Sequence, residues 1–116
     1  MSRVPDRGEI WHITFDPASG TEMKEKHFCL VLSKKGFNDK FGLTMVCPIS
    51  GGNSAIARSQ GFLVTLMGLG TTTSGNIHCH QVKMLDLRSR GGKYIETIDN
   101  PNVIQDILDR VGVILQ

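Results

Sequence analysis

The apolar residues of this chain fall into short runs whose spacing is typical of β-strands. In the segment 8–15 (GEIWHITF), Trp11, Ile13 and Phe15 alternate with polar residues, as expected for a half-buried strand. Similar runs predict further strands at 28–33 (FCLVLS), at 43–49 (LTMVCPI), from 62 onward (FLVTLMG) and within 76–85 (NIHCHQVKML), the last as one longer strand or two shorter ones. Five or six short strands at this close spacing predict a small barrel.

The segments between these strands are polar. Residues 16–27 (DPASGTEMKEKH) are rich in Pro, Gly, Ser and charge and predict a long loop, of the kind that often carries function. The segment 34–42 (KKGFNDKFG) predicts a polar turn, and 50–61 (SGGNSAIARSQG) has the composition of a mobile surface loop.

At the end of the chain the pattern changes to a helical period. Asn100 can cap a helix, Pro101 suits its first turn, and the apolar residues of 103–115 recur with helical spacing. This amphipathic helix would cover an open side of the barrel. The sequence therefore predicts an α+β fold that is mainly β, a small barrel with one C-terminal helix.

Length and composition are those of one ordinary domain. A chain of 116 residues, 40% hydrophobic and 21% charged, fits one domain spanning 1–116 and excludes a disordered tail or a membrane protein. The formal net charge of +2 is too small to indicate nucleic-acid binding by itself. The N-terminal segment lacks the apolar core of a signal peptide and no apolar run reaches membrane-spanning length, so we expect a cytoplasmic protein.

Two histidines lie two positions apart in the segment 75–92 (GNIHCHQVKMLDLRSRGG). On a strand, His78 and His80 would share one face while Cys79 points to the other. The pair could be metal ligands, an acid/base pair or exposed residues without a role, and spacing alone does not choose among them. A zinc site needs three or four ligands, whereas the cysteines at 29, 47 and 79 lack CxxC spacing and are expected to be reduced and buried.

Other chemical fingerprints are missing from the sequence. It contains no GxGxxG, P-loop, GxSxG or HExxH motif. A basic cluster could follow a phosphate backbone, although most such clusters are solvated surface; its members are Lys83, Arg88, Arg90 and Lys93. Up to this point the sequence indicates only a small β-rich domain.

The order of several fragments adds a resemblance to a known family. RGEIWHITFDPASGTE near the start, then LVLS, PISGGN and finally HCHQVKMLDLRSRGGK resemble the MazF/PemK family of toxin endoribonucleases, and most closely its PemK and ChpB branch. The resemblance covers nearly the whole chain. It implies a small SH3-like barrel with a C-terminal helix, a homodimer, and cleavage of single-stranded mRNA at short sequences without a metal or other cofactor. It also implies a cognate antitoxin that covers the RNA site with an acidic, disordered segment.

Several positions of the family motif carry the expected residue types. The Gly-x-Glu of the first loop matches a segment that contains Thr21 and Glu22. The hydroxyl residue after the Pro of the third strand matches Ser50. On the same resemblance, the residues expected to bind the substrate are Thr21, Gln60, Phe62, Ser74, Asn76 and Gln81. An aromatic ring at position 62 could stack on a base, although a core Phe is an equally good interpretation.

Histidine replaces the charged residues that the family uses for catalysis. His27 stands where the family has an Arg, and His78 and His80 stand where the PemK branch has an Arg and an Asp. Transesterification of RNA needs a base for the 2′-hydroxyl, an acid for the leaving 5′-oxygen and donors for the phosphoryl oxygens, and histidine can fill all three roles. We assign the base to His80, the acid or a phosphate donor to His78, and a second phosphate contact to His27. Ser50 and Glu22 would position the RNA, and the exchange of base and acid is left open.

The same replacements allow a second interpretation. Loss of three expected charged positions could mark a catalytically inactive homologue that binds RNA or an antitoxin without cleavage. His12, on the polar face of the first strand, is expected to be a surface or dimer residue.

Overall fold

The computed structural model describes residues 3–14 and 26–116. Its strands are β1 (Glu9–Thr14), β2 (Lys26–Val31), β3 (Thr44–Ser50), β4 (Leu63–Thr65), β5 (Asn76–His78), β6 (Lys83–Leu85) and β7 (Lys93–Thr97). Its helices are α1 (Lys35–Phe41), α2 (Ala55–Ser59) and α3 (Pro101–Gly112), and a short 3-10 turn, Val113–Leu115, follows α3. Most of the long loop expected at 16–27, including Thr21 and Glu22, lies outside the described residues.

All seven strands belong to one antiparallel sheet. Its order is β4-β5-β3-β2-β1-β7, and β6 pairs separately with the first half of β3. Within the described part of the chain no ladder joins the edge strands β4 and β7, so the sheet does not close into the expected barrel. β4 is only three residues long and all three pair with β5, and no other described strand pairs with its outer edge. The prediction of a mainly β, α+β fold with a C-terminal helix is confirmed.

The register of the ladders sorts the side chains onto two faces. Successive residues of a strand point to opposite sides, so the pair Ile49↔Ile77 belongs to one face and Trp11↔Cys29 to the other. The first face forms the main core, which consists of Ile10, Leu30, Leu32, Cys47, Ile49, Leu66, Ile77, Cys79, Ile98 and Ile107. The second face carries a smaller apolar cluster of Trp11, Ile13, Cys29, Val31, Val46, Leu85 and Leu87.

The C-terminal helix α3 agrees with the prediction. The side chain of Asn100 accepts hydrogen bonds from the backbone N–H groups of Asn102 and Val103, and Pro101 is the first helical residue. Ile107 is fully buried in the main core and joins α3 to the sheet. None of the helices among the described residues is long and apolar enough to cross a bilayer.

The sequence predicted a turn and a loop at two places where the structure has short helices. In α1, the side-chain amide of Asn38 is buried and donates to the carbonyl oxygens of Pro5 (2.8 Å) and Ser33 (3.0 Å). The helix α2 is capped by Ser54, whose hydroxyl accepts from the backbone N–H of the buried residue Ala57. Each helix is anchored by one buried residue, so neither shows the recurrent apolar spacing from which a helix is predicted.

The expected number of strands was also too low. The segment 76–85 forms two short strands, one of the alternatives allowed by the sequence, and β7 was missed. β7 lies at the edge of the sheet, and Tyr94 and Ile95 are both more than a third exposed, so it lacks the alternation of a half-buried strand. The three cysteines are free and buried, as predicted.

Candidate active site

Ser50 and His78 meet where β3 ends beside β5. The pairs Ile49↔Ile77 and Ser50↔Asn76 fix the two strands, and they place Ser50 and His78 on the second face of the sheet. Oγ of Ser50 lies 2.9 Å from Nε2 of His78, within hydrogen-bond distance. The ladder therefore joins a hydroxyl and an imidazole from distant parts of the sequence.

His80 lies beside His78, although it is no longer part of the strand. β5 ends at His78, and the centroids of the two imidazole rings are 5.7 Å apart. Cys79, between them, is fully buried in the main core, which confirms its expected opposite orientation. The side-chain amide of Gln81 lies 3.3 Å from Nε2 of His80, and the ring centroid of Phe62 is 6.1 Å from that of His80.

Burial governs the protonation of His78. This residue is only 5% exposed, which excludes the interpretation of His78 as an exposed strand residue. Burial lowers the pKa of His78 from its ordinary value of 6.5; an interaction with the backbone of Ser50 opposes this shift, and the charge of His80 adds to it. The Nδ1 atoms of His78 and His80 are buried and have no hydrogen-bond partner among the described residues. The lowered pKa of His78 favours its neutral imidazole form at neutral pH.

Two glycines allow the backbone to approach Ser50 closely, and the sequence analysis did not identify either as part of the site. The N–H of Gly52 donates to Oγ of Ser50 at 3.2 Å, and a Cβ on Gly52 would lie 3.6 Å from Cε1 of His78. Gly75 has a φ of +120°, and a Cβ there would lie 2.9 Å from the carbonyl oxygen of Ser50. A side chain at position 75 would therefore both strain the backbone and collide with β3. Turn composition alone carries no signal for such a close approach.

His27 lies on the neighbouring strand β2 and on the same face. The β2–β3 register pairs Phe28 with Ile49, and its continuation by one residue places His27 opposite Ser50. The side chain of His27 is half-buried. The sheet thus brings His27, Ser50 and His78 to one end of the second face.

Asn76 and Ser74 lie next to this group. Asn76 pairs with Ser50 across the ladder, and its side-chain amide donates to the carbonyl oxygen of Gly52 at 3.2 Å. Both Ser74 and Asn76 line a groove of about 390 Å³ between Gly51 and the loop that joins β4 to β5. The groove opens beside the end of β3, next to Ser50.

Phe62 packs as the interpretation of a core Phe expects, and base stacking stays a prediction. Its half-buried ring packs against the main core, and it also approaches His80. Gln60 is exposed at the C-terminal end of α2, two residues before Phe62. Thr21 and Glu22 belong to the expected site but lie outside the described residues.

The basic cluster begins on a different part of the sheet from the candidate site. Lys83 pairs with Val46 in β3, four residues before Ser50, or roughly 13 Å along the strand. Arg90 donates to the carbonyl oxygen of Thr14.

Within the described ranges no group of three or more His, Cys, Asp or Glu side chains could hold a metal ion.

Comparison with known proteins defines the family of the chain. Residues 6–115 match the model of the PemK-like, MazF-like toxins of type II toxin-antitoxin systems. The chain belongs to this family, and its sequence is most similar to the PemK and ChpB branch among the curated relatives compared.

Curated relatives cover nearly all of the chain. It is 37% identical to the endoribonuclease PemK of Escherichia coli, over 95% of this chain and 81% of that protein. It is 36% identical to the endoribonuclease toxin ChpB of Escherichia coli K12, over 96% of this chain and 94% of that protein.

Solved structures agree with the sequence comparison. The crystal structure of MazF from Deinococcus radiodurans superposes with a TM-score of 0.80 at 29% identity, covering 98% of both chains. A MazE-MazF structure from the same organism also gives a TM-score of 0.80, at 28% identity and 97% coverage of both chains.

Proposed function

We propose that this chain is the toxin of a type II toxin-antitoxin pair and that it is a sequence-specific endoribonuclease acting on single-stranded mRNA. Membership of the toxin family and the endoribonuclease names of its curated relatives support this activity. The observation that carries the proposal for this chain is the contact of Ser50 with His78, beside His80, at the family's motif positions.

The proposed reaction is transesterification within the RNA. A base removes the proton of the 2′-hydroxyl, the resulting oxygen attacks the adjacent phosphorus, and an acid protonates the leaving 5′-oxygen. The products are a 2′,3′-cyclic phosphate and a 5′-hydroxyl. All of the proton transfers lie within the chemistry of imidazole, so the reaction needs no metal or other cofactor.

The burial of His78 favours the exchanged assignment of the two catalytic histidines. A base must be unprotonated in the free enzyme, and burial holds His78 in that form at neutral pH. We therefore assign the base to His78, which would act through Ser50: Oγ takes the proton of the 2′-hydroxyl while the hydroxyl proton of Ser50 passes to Nε2 of His78. The acid is assigned to the less buried His80. The rings lie close enough to reach one phosphodiester group.

The developing charge on the phosphoryl oxygens needs donors. His27, which the register places opposite Ser50, would supply an imidazole N–H donor in place of the family's Arg. Thr21, Glu22, Gln60, Phe62, Ser74, Asn76 and Gln81 would hold the RNA on either side.

The partners follow from the same family. We propose a homodimer, held in check by a cognate antitoxin whose acidic, disordered segment lies over the RNA site. MazE-MazF structures are among the solved structures that this fold matches. Both the mRNA and the antitoxin would be met in the cytoplasm.

The direct test is cleavage of a long RNA by the purified protein in excess EDTA, with the cut sites and end groups mapped. We expect cuts at a short recurrent sequence, each leaving a 2′,3′-cyclic phosphate. A His78→Ala/His80→Ala double variant, purified in parallel, controls for contaminating ribonuclease. Cleavage that disappears with EDTA and returns with zinc would contradict the metal-free mechanism.

The replacement of three charged motif residues by histidine favours one alternative, an inactive homologue that binds RNA or an antitoxin. The same experiment decides between the two. The alternative predicts that the protein retains a labelled RNA in a filter-binding assay and leaves it intact, and that overexpression is harmless.

A further inference from the structure

Glu96 in β7 makes an unusually complete set of hydrogen bonds. Its carboxylate accepts from the backbone N–H groups of Thr72 (3.0 Å) and Thr73 (2.8 Å). It also accepts from their hydroxyl groups, at 2.9 Å for Thr72 and 2.6 Å for Thr73. Four donors from two adjacent residues thus converge on one side chain, and no sequence motif indicated this role.

These hydrogen bonds connect the two edges of the sheet. Thr72 and Thr73 lie in the loop 66–75 between β4 and β5, and Glu96 lies in β7, at the other end of the strand order. No ladder joins β4 to β7 in the described residues, so side-chain hydrogen bonds make the link there. The carboxylate of Glu96 therefore links the two edges of the sheet, which no backbone ladder joins in the described residues.

The loop held by Glu96 ends against the candidate active site. The backbone N–H of Leu66 donates to the carbonyl oxygen of Gly75 and closes the base of the loop. Gly75 lies so close to Ser50 that an added Cβ would be 2.9 Å from its carbonyl oxygen. A displacement of Thr73, two residues before Gly75, would therefore also displace the backbone of Ser50.

We propose that Glu96 is a positioning residue for the contact between Ser50 and His78. It acts through the loop 66–75, which it holds against the end of β3. The expected effect of Glu96 on catalysis rests on the proposed function, whereas its effect on the contact between Ser50 and His78 does not.

A carboxylate suits this task because it accepts all four bonds at once. Partial burial would raise the pKa of Glu96, but the hydrogen bonds from Thr73 and Thr72 outweigh it and lower the pKa to about 2. Glu96 is therefore ionised at every pH at which the enzyme would work, and it remains a pure acceptor.

The test compares Glu96→Ala with Glu96→Gln and Thr73→Val, which each remove part of the set of bonds. Thr73→Ser keeps the hydroxyl and serves as the conservative variant. Asp99→Asn removes an exposed carboxylate three residues away and serves as the control. Each protein is checked for folding by circular dichroism, and the imidazole of His78 is titrated by NMR, with its resonance assigned from the spectrum of His78→Ala.

We expect Glu96→Ala to raise the pKa of His78 toward 6.5, because release of the loop lets water reach the ring. Loss of the negative charge of Glu96 would by itself lower the pKa of His78. The direction of the shift therefore separates this electrostatic effect from the entry of water. In single-turnover cleavage, the rate constant of the folded fraction should fall roughly tenfold or more, since small misplacements are costly. For Glu96→Gln and Thr73→Val, the pKa of His78 and the rate constant should lie between the values of the parent and of Glu96→Ala. Thr73→Ser and Asp99→Asn should give the parent values.

A purely structural role gives a different result. It would lower the melting temperature and the reaction amplitude but leave the titration of His78 and the rate constant of the folded fraction unchanged, and this outcome would overturn the proposal. A downward or absent shift of the His78 pKa in folded Glu96→Ala would also overturn it. If the parent protein leaves RNA intact, the proposed function fails, and the titration still decides the role of Glu96.

Discussion

Ser50 and His78, 28 positions apart, are joined at 2.9 Å between Oγ and Nε2. The hydroxyl also accepts from the N–H of Gly52, which leaves its own proton directed away from that donor. A neutral His78 can take this proton at Nε2, and the contact then fixes both the tautomer and the orientation of the ring. The pair has the geometry of a base held by a neighbouring hydroxyl group.

Replacing either histidine of the site should abolish most of the cleavage. His78→Ala and His80→Ala should each lower kcat by roughly a hundredfold or more, because each removes one general acid/base group. His12, whose ring packs on Phe28 on the other face, provides the control, and His12→Ala should cleave at close to the parent rate. Single-turnover rates on one synthetic RNA measure the difference. A double variant at 78 and 80 with parental activity would place the chemistry elsewhere.

The pH dependence of RNA cleavage should reflect the burial of the base, His78. Burial lowers the pKa of His78, so the neutral form persists below pH 6.5, and kcat/KM should fall only when the pH drops through that lowered value. The acid limits the rate on the alkaline side, which gives a bell. Rates from pH 5 to 9 measure both limbs, and the acidic limb should be missing from the residual activity of His78→Ala. A flat parent profile would rule out imidazole catalysis.

A side chain at position 75 should damage both stability and activity. Gly75→Ala forces a left-handed φ of +120° on alanine and places its Cβ 2.9 Å from the carbonyl oxygen of Ser50. Such strain costs about 1–3 kcal/mol of unfolding free energy, and the displaced Ser50 should also slow cleavage. Urea denaturation and single-turnover rates measure the two effects.

Gly36→Ala is the matched control for this substitution. Gly36 lies in α1, where an added Cβ meets nothing within 4 Å, so alanine should be neutral or stabilise the protein by up to about 1 kcal/mol. Equal losses of stability in the two variants would contradict the assigned role of Gly75.

The stability contributed by Glu96 should depend on pH in a defined window. Its pKa is lowered from 4.5 to about 2 on folding, so the stabilisation is complete above pH 4.5 and is lost as the pH falls toward 2. The difference in melting temperature between the parent and Glu96→Gln should therefore narrow across this range. A constant difference in melting temperature for Glu96→Gln would argue against the ionised carboxylate as the stabilising form.

The local pattern of apolar and polar residues was enough to predict the elements that bury one regular face. Alternation indicated β1, and the Asn100 cap with its helical spacing indicated α3, because in each case the residues that meet the core are near neighbours in sequence. The motif fragments also determined the family, and they include Ser50, His78 and His80, which the structure brings close together.

Other features depend on contacts between distant segments, and only the tertiary structure decided them. α1 is anchored through Asn38 by the carbonyl oxygen of Pro5, 33 positions away, and polar turn composition hides such an anchor. The sheet is linked across its edges by Glu96 and Thr73 rather than by a ladder. The low pKa of His78 comes from burial at the end of β5, and burial depends on what the rest of the chain places over a residue rather than on its neighbours in sequence.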